Sequence, residues 1–133
     1  VPKFLLMVNH DGGEFEQPMD EWAPGDIAAH FDYYAALTEE LVASGEMVQF
    51  TGLADPRLAR IVRSDGAAAP VVTDGPFPES KEVLAGFNVV DVESEARALE
   101  IAARISAVPG PGGVPTRQPV EVRRVMDAVA FDL

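Results

Sequence analysis

Phe4-Leu5-Leu6-Met7-Val8 is apolar at every position. Successive side chains of a strand point to opposite faces of its sheet. A strand apolar at each position therefore needs cover on both faces. The run is too short for a helix, and Lys3 and Asn9 bound it with polar groups, so it reads as a strand. One layer of helices covers one face. A second copy of the chain is the economical cover for the other. The expectation is a homodimer built sheet to sheet, with Phe4, Leu6, Val8, Val89 and Val122 shared between the two sheet faces and the helices.

The rest of the chain supplies the helices. Residues 10–25 read as a loop with Gly12, Gly13, Pro18, Pro24 and Gly25, anchored by Trp22. Asp26 suits a helix N-cap. Ile27, Phe31, Tyr34, Thr38 and Leu41 then recur at helical spacing, with His30 and Leu37 on the edge of the same face. Ser44-Gly45 is the stop, where Gly45 suits a left-handed cap. Residues 47–53 form a strand, broken by Asp55-Pro56. Residues 59–64 and 68–73 flank Asp65-Gly66, a strong hairpin signal. Residues 84–92 form another strand, whose interior Gly86 predicts a bulge or a close backbone approach. Ser94 caps a second helix with the stripe Ala98, Leu99, Ala102 and Ile105. Residues 109–119 hold four prolines and three glycines and read as an irregular connection. Residues 120–126 alternate as a final strand, and 127–133 form a separate apolar-ended segment placed to pair with a partner. The order β-α-β-(β-hairpin)-β-α-β predicts one α+β domain over 1–133, a ferredoxin-like sandwich.

Charge narrows the partners. The net charge is −12, and residues 4–56 carry eleven acids and no Lys or Arg. Such a surface repels a phosphate backbone, so nucleic acid is an unsuitable partner. It serves solubility most simply, and it would also attract a cation. The chain has no cysteine, so it forms no disulfide and offers no thiolate. The apolar run at 4–8 is far below the ~20 residues that span a bilayer, and no signal-peptide pattern surrounds it. The expectation is a cytoplasmic protein with no membrane anchor.

Residues 73–82, Thr-Asp-Gly-Pro-Phe-Pro-Glu-Ser-Lys-Glu, carry more than a turn requires. Asp74 either fixes the turn by accepting main-chain N–H groups or puts a carboxylate at the mouth of a pocket with Lys81 as its charge partner. Phe77 either plugs the loop or stacks on a ligand. A histidine beside a carboxylate can act as acid or base near neutral pH. His30 lies on the helix and His10 follows the first strand beside Asp11. Each has a simpler reading, His30 as a hydrogen-bonded helix-face residue and His10 as a solvated loop residue. His10, Asp11, Glu14 and Glu16 match no zinc spacing, and no metal or cofactor is expected. The chain has no phosphate loop, nucleophile elbow or dinucleotide fingerprint.

Asp74-Gly75-Pro76-Phe77, followed by Glu79 and Lys81-Glu82, resembles the signature of the YCII-related family, in the branch named for its Asp-Gly-Pro-Phe (DGPF) motif. The apolar first strand, the Ser44-Gly45 helix end and the Gly86-Phe87 strand ending at Asp91 share the resemblance. It implies a dimeric α+β barrel in which two ferredoxin-like sheets face each other. That architecture hosts lyases, isomerases and cofactor-poor monooxygenases. It also implies a regulatory alternative, because genes of this branch neighbour extracytoplasmic-function sigma factors. Other members are associated with a His-Asp pair, and His30 stands about a turn earlier than that histidine would. The site expected here joins His30 and Asp74 as an acid–base pair, with Tyr34, Phe77 and Lys81 binding a small molecule. Two function classes follow. One is a binding or regulatory module, and the other is a cofactor-independent lyase, isomerase or oxygenase.

Overall fold

A computed structural model describes residues 2–10, 19–54, 56–75 and 83–126. Its elements follow in the order β1 (Lys3–His10), α1 (Pro24–Ala43), β2 (Met47–Gly52), β3 (Arg60–Arg63), β4 (Val71–Asp74), β5 (Val83–Asp91), α2 (Glu95–Ser106) and β6 (Val120–Arg124). Four strands form an antiparallel sheet in the order β2-β5-β1-β6. With both helices on one face, this is the ferredoxin-like α+β sandwich. The β3–β4 hairpin is a separate two-stranded sheet inserted between β2 and β5.

Phe4, Leu6 and Val8 of β1 point to the helices and pack with Val90, Leu37, Leu41, Ile101 and Ile105. Leu5 and Met7 point the other way and pair in register with Val89 and Phe87, all four half-buried. The double-sided apolarity of β1 is thus divided between a closed core and an open sheet face. Of the residues expected to be shared between faces, Phe4, Leu6, Val8 and Val122 serve the helix side. Val89 serves the open side.

Gly86 behaves as its position predicts. A Cβ there would lie 2.8 Å from the Thr51 carbonyl oxygen, closer than side chains tolerate. The register of β1 against β5 also slips beside it, between Val8 and Asn9.

Three local expectations need correction. α1 starts at Pro24, with Ala23 rather than Asp26 at the N-cap and no side-chain cap. Proline suits the first helical position because its missing N–H would be unpaired there anyway. Asp26 is displaced into the first turn, where its carboxylate accepts the Gly112 N–H at 3.0 Å. The buried face of α1 centres on Leu37 and Leu41, and Phe31 is 55% exposed. In α2, Ser94 does cap, accepting the Arg97 N–H. Ile101 replaces Leu99 in the buried stripe, which runs Ala98, Ile101, Ala102, Ile105 at i, i+3, i+4, i+7. Asp65-Gly66 is not a two-residue hairpin loop. Residues 64–70 join the strands, the Asp65 carboxylate accepts the N–H groups of Ala67 and Ala68, and Gly66 takes φ +83°. The segment 127–133 lies outside the described residues. No helix among those described is long and apolar enough to cross a membrane.

Candidate functional site

An aromatic cluster forms where the first half of α1 meets β2 and the connection after α2. His30 is its centre. Trp22, just before the helix, stands 5.4 Å from the His30 ring in an edge contact. Tyr34, one turn on, stands 5.1 Å from it. Phe31 lies 5.4 Å from His30 on the outer side. Phe50 of β2 then meets Tyr34 at 5.8 Å. Helical spacing brings 30 and 34 onto one face, which is why this pairing was readable from sequence.

The polar groups in this region are held in defined states. His30 Nδ1 donates to the Pro109 carbonyl at 2.9 Å. Burial pushes the imidazole pKa below its ordinary value, and the carbonyl only partly opposes that. The ring is therefore neutral at pH 7, with its proton on Nδ1 and a lone pair on Nε2. Burial, with a smaller push from Tyr33, raises the Tyr34 hydroxyl to about 12, so it stays a protonated donor. The Tyr33 hydroxyl is committed elsewhere, donating to the Arg104 carbonyl at 2.6 Å.

Asn88 supplies the feature that sequence reading passed over. It sits in the middle of β5, in register with Leu6 on one side and Phe50 on the other, so its side chain faces the helices. It is 2% exposed, and its Oδ1 has no hydrogen-bond partner among the described residues. A buried acceptor left unpaired costs about 1–3 kcal/mol. Such an atom calls for an explanation. The signal was present in Phe87-Asn88-Val89-Val90, a lone amide in an apolar strand at an inward position.

Residues 4–122 match the model of the YCII-related domain, a span that reaches from β1 into β6 and includes both helices. The chain belongs to the YCII-related family. No curated protein matches it.

In this YCII-related domain the Asp-Gly-Pro-Phe stretch begins at the end of β4. Asp74 is the last residue of that strand, its side chain is 91% exposed, and its Oδ1 lies 3.5 Å from Arg60 Nε. The Gly75 N–H goes to the Ala59 carbonyl at 2.9 Å, so the first main-chain donor of the loop is taken by β3's approach. A Cβ on Gly75 would lie 3.1 Å from the Ile61 side chain, which would have to give by a few tenths of an ångström to admit it. Phe77 and Lys81 lie outside the described residues. The structure therefore brings His30 and Tyr34 together. It sets Asp74 on the other sheet, and no contact among the described residues joins Asp74 to the aromatic cluster. Trp22, read as a loop anchor, proves to be a direct neighbour of His30. The described residues hold no group of three or more His, Asp or Glu side chains arranged for a metal.

Proposed function

We propose that this YCII-related domain binds a small, flat organic molecule between α1 and the sheet, beside Trp22, His30, Tyr34 and Phe50. The observation that carries the reading is the buried, unpaired Oδ1 of Asn88 on the helix-facing side of β5. A ligand N–H or O–H would satisfy it. The neutral imidazole and the protonated Tyr34 hydroxyl add an acceptor and a donor. With eleven acids and no Lys or Arg in residues 4–56, a neutral or cationic molecule fits better than an anion. The working unit in this reading is a homodimer that closes the open face of Leu5, Met7, Phe87 and Val89.

The tautomer of His30 favours one second reading. Its Nε2 lone pair is a competent base near neutral pH. In a cofactor-independent enzyme it would take the substrate proton, with Asp74 as its acid–base partner and Phe77 and Lys81 as ligand-binding residues.

Trp22 is the only tryptophan, so its fluorescence reports on the cluster directly. A panel of small phenols and aromatic amines should include compounds that change this emission saturably. Asn88→Leu, of similar volume, should abolish that response and still melt at or above the wild-type temperature. A panel without response, or an undiminished response in Asn88→Leu, contradicts the binding reading.

A further inference from the structure

Hydrogen-bond polarity narrows the ligand of the site proposed above, and the step rests on that reading. The Oδ1 of Asn88 can only accept, it is buried, and no described residue donates to it. On the His30 ring, Nδ1 is committed to the Pro109 carbonyl, whose oxygen cannot donate. The proton therefore sits on Nδ1, and Nε2 becomes a second pure acceptor. The Tyr34 hydroxyl, on the ring next to His30, can either donate or accept. The site thus offers two fixed acceptors and one adaptable group.

A ligand that meets such a site must bring protons. A carbonyl, ether or carboxylate oxygen would set lone pair against lone pair. A phenol brings a single O–H. A primary amino group brings two N–H donors, one for each acceptor.

Burial decides the charge. Desolvation disfavours the imidazolium form of His30. It also disfavours the phenolate of Tyr34, whose hydroxyl is pushed up to about 12. A cation and an anion are both penalised on adjacent rings. An ammonium ion is a strong donor, but it would meet the penalty that the imidazolium meets. An amino group conjugated to an aromatic ring shares its lone pair with the ring, so it donates and stays neutral at pH 7. Trp22, Tyr34 and Phe50 supply the apolar surroundings that such a ring takes.

We propose that the ligand class of this site is a neutral aromatic primary amine, with its N–H groups taken by Asn88 Oδ1 and His30 Nε2.

The test leaves the protein unaltered and varies the ligand. 4-Methylaniline, 4-methylphenol, anisole and benzylamine, all of equal size, are titrated into the wild type at pH 7. 4-Methylaniline should bind at least about tenfold more tightly than anisole, which brings no donor, and than benzylamine, which brings a charge. 4-Methylphenol, with one donor, should fall between. The chain has two histidines, so nitrogen-15 labelling of the imidazoles resolves each ring. The His30 signals are those lost in His30→Gln. Bound 4-methylaniline should move the His30 Nε2 resonance upfield, as donation into its lone pair requires. Equal or tighter binding of anisole or benzylamine overturns the amine assignment and leaves a ligand site standing. An Nε2 resonance unmoved by bound 4-methylaniline overturns it as well. If none of the four binds, the site reading fails and this assignment falls with it.

Discussion

The Nδ1–H of His30 donates to the main-chain carbonyl of Pro109 at 2.9 Å, across 79 residues of chain. This bond ties α1 to the Pro/Gly-rich connection after α2 and decides which imidazole nitrogen keeps a lone pair. A second tie runs in parallel, from the Gly112 N–H to the Asp26 carboxylate. The connection that looks irregular in sequence is thus the brace that orients the cluster's histidine.

Burial lowers the His30 pKa, so the unfolded chain binds a proton more readily than the folded one. Stability from this group is full above the unfolded value of about 6.5 and is lost as pH falls through it toward the lower folded value. Melting temperature should therefore drop between pH 7 and pH 5 in the wild type. His30→Gln should flatten that part of the profile. Parallel profiles for the two proteins would show that His30 does not set the slope.

Gly86→Ala should destabilise the domain by about 1–3 kcal/mol, the range for forcing an atom into a packed site. The added carbon would meet a main-chain oxygen of β2, which can yield only if the strands part. Urea denaturation measures the loss. A variant as stable as wild type would mean that the β2–β5 contact relaxes freely.

The fold was legible because its signals are local. The Ser44-Gly45 stop, the Ser94 cap and the apolar β1 each act within a few residues, and each appears as read. The candidate site was legible only in part, for a related reason. His30 and Tyr34 share a helix face, so spacing joins them. Phe50, Asn88 and Pro109 reach the same region from β2, β5 and the loop after α2, and no local pattern encodes that meeting. The helix stripes failed at their edges. Phe31 and Leu99 sit at angles that a periodicity cannot separate from the core, and the packing partner chose Leu37 and Ile101.

Glu46 and Arg97 form a two-pronged pair, Oε2 to Nε at 2.8 Å and Oε1 to Nη2 at 2.9 Å, joining the end of α1 to α2. The guanidinium, aided by the Ser44 hydroxyl, holds the Glu46 carboxyl down to about 2. Because the folded value lies below the unfolded one, the contribution is present above about 4.5 and fades as pH falls toward 2. Arg97→Lys keeps the charge but loses the fork and should cost about 1 kcal/mol at neutral pH. It should also shrink the difference between melts at pH 5 and pH 3. An unchanged acid profile would show that the pair is neutralised by solvent.

Of the two readings of Asp74, the first has its carboxylate fix the turn by accepting main-chain N–H groups within residues 75–82. Of those residues the structure describes Gly75, whose N–H is given to Ala59 instead. With its carboxylate exposed and 3.5 Å from Arg60, Asp74→Ala should cost less than about 1 kcal/mol. Loss of ligand response without loss of stability would then assign this carboxylate to binding. A cost well above that, read by chemical denaturation, would restore the locking role.

The open face of the sheet carries the last prediction. Asp91 stands on the same side as Val89 and Phe87, and its Oδ1 is buried without a hydrogen-bond partner among the described residues. A contiguous half-buried apolar face is better covered by a second sheet than left to water. Light scattering at micromolar concentration should give a two-chain mass. Met7→Lys, at the centre of the face, should reduce it to one chain while circular dichroism stays unchanged. A monodisperse wild-type monomer, or a dimer that survives Met7→Lys, would remove this contact.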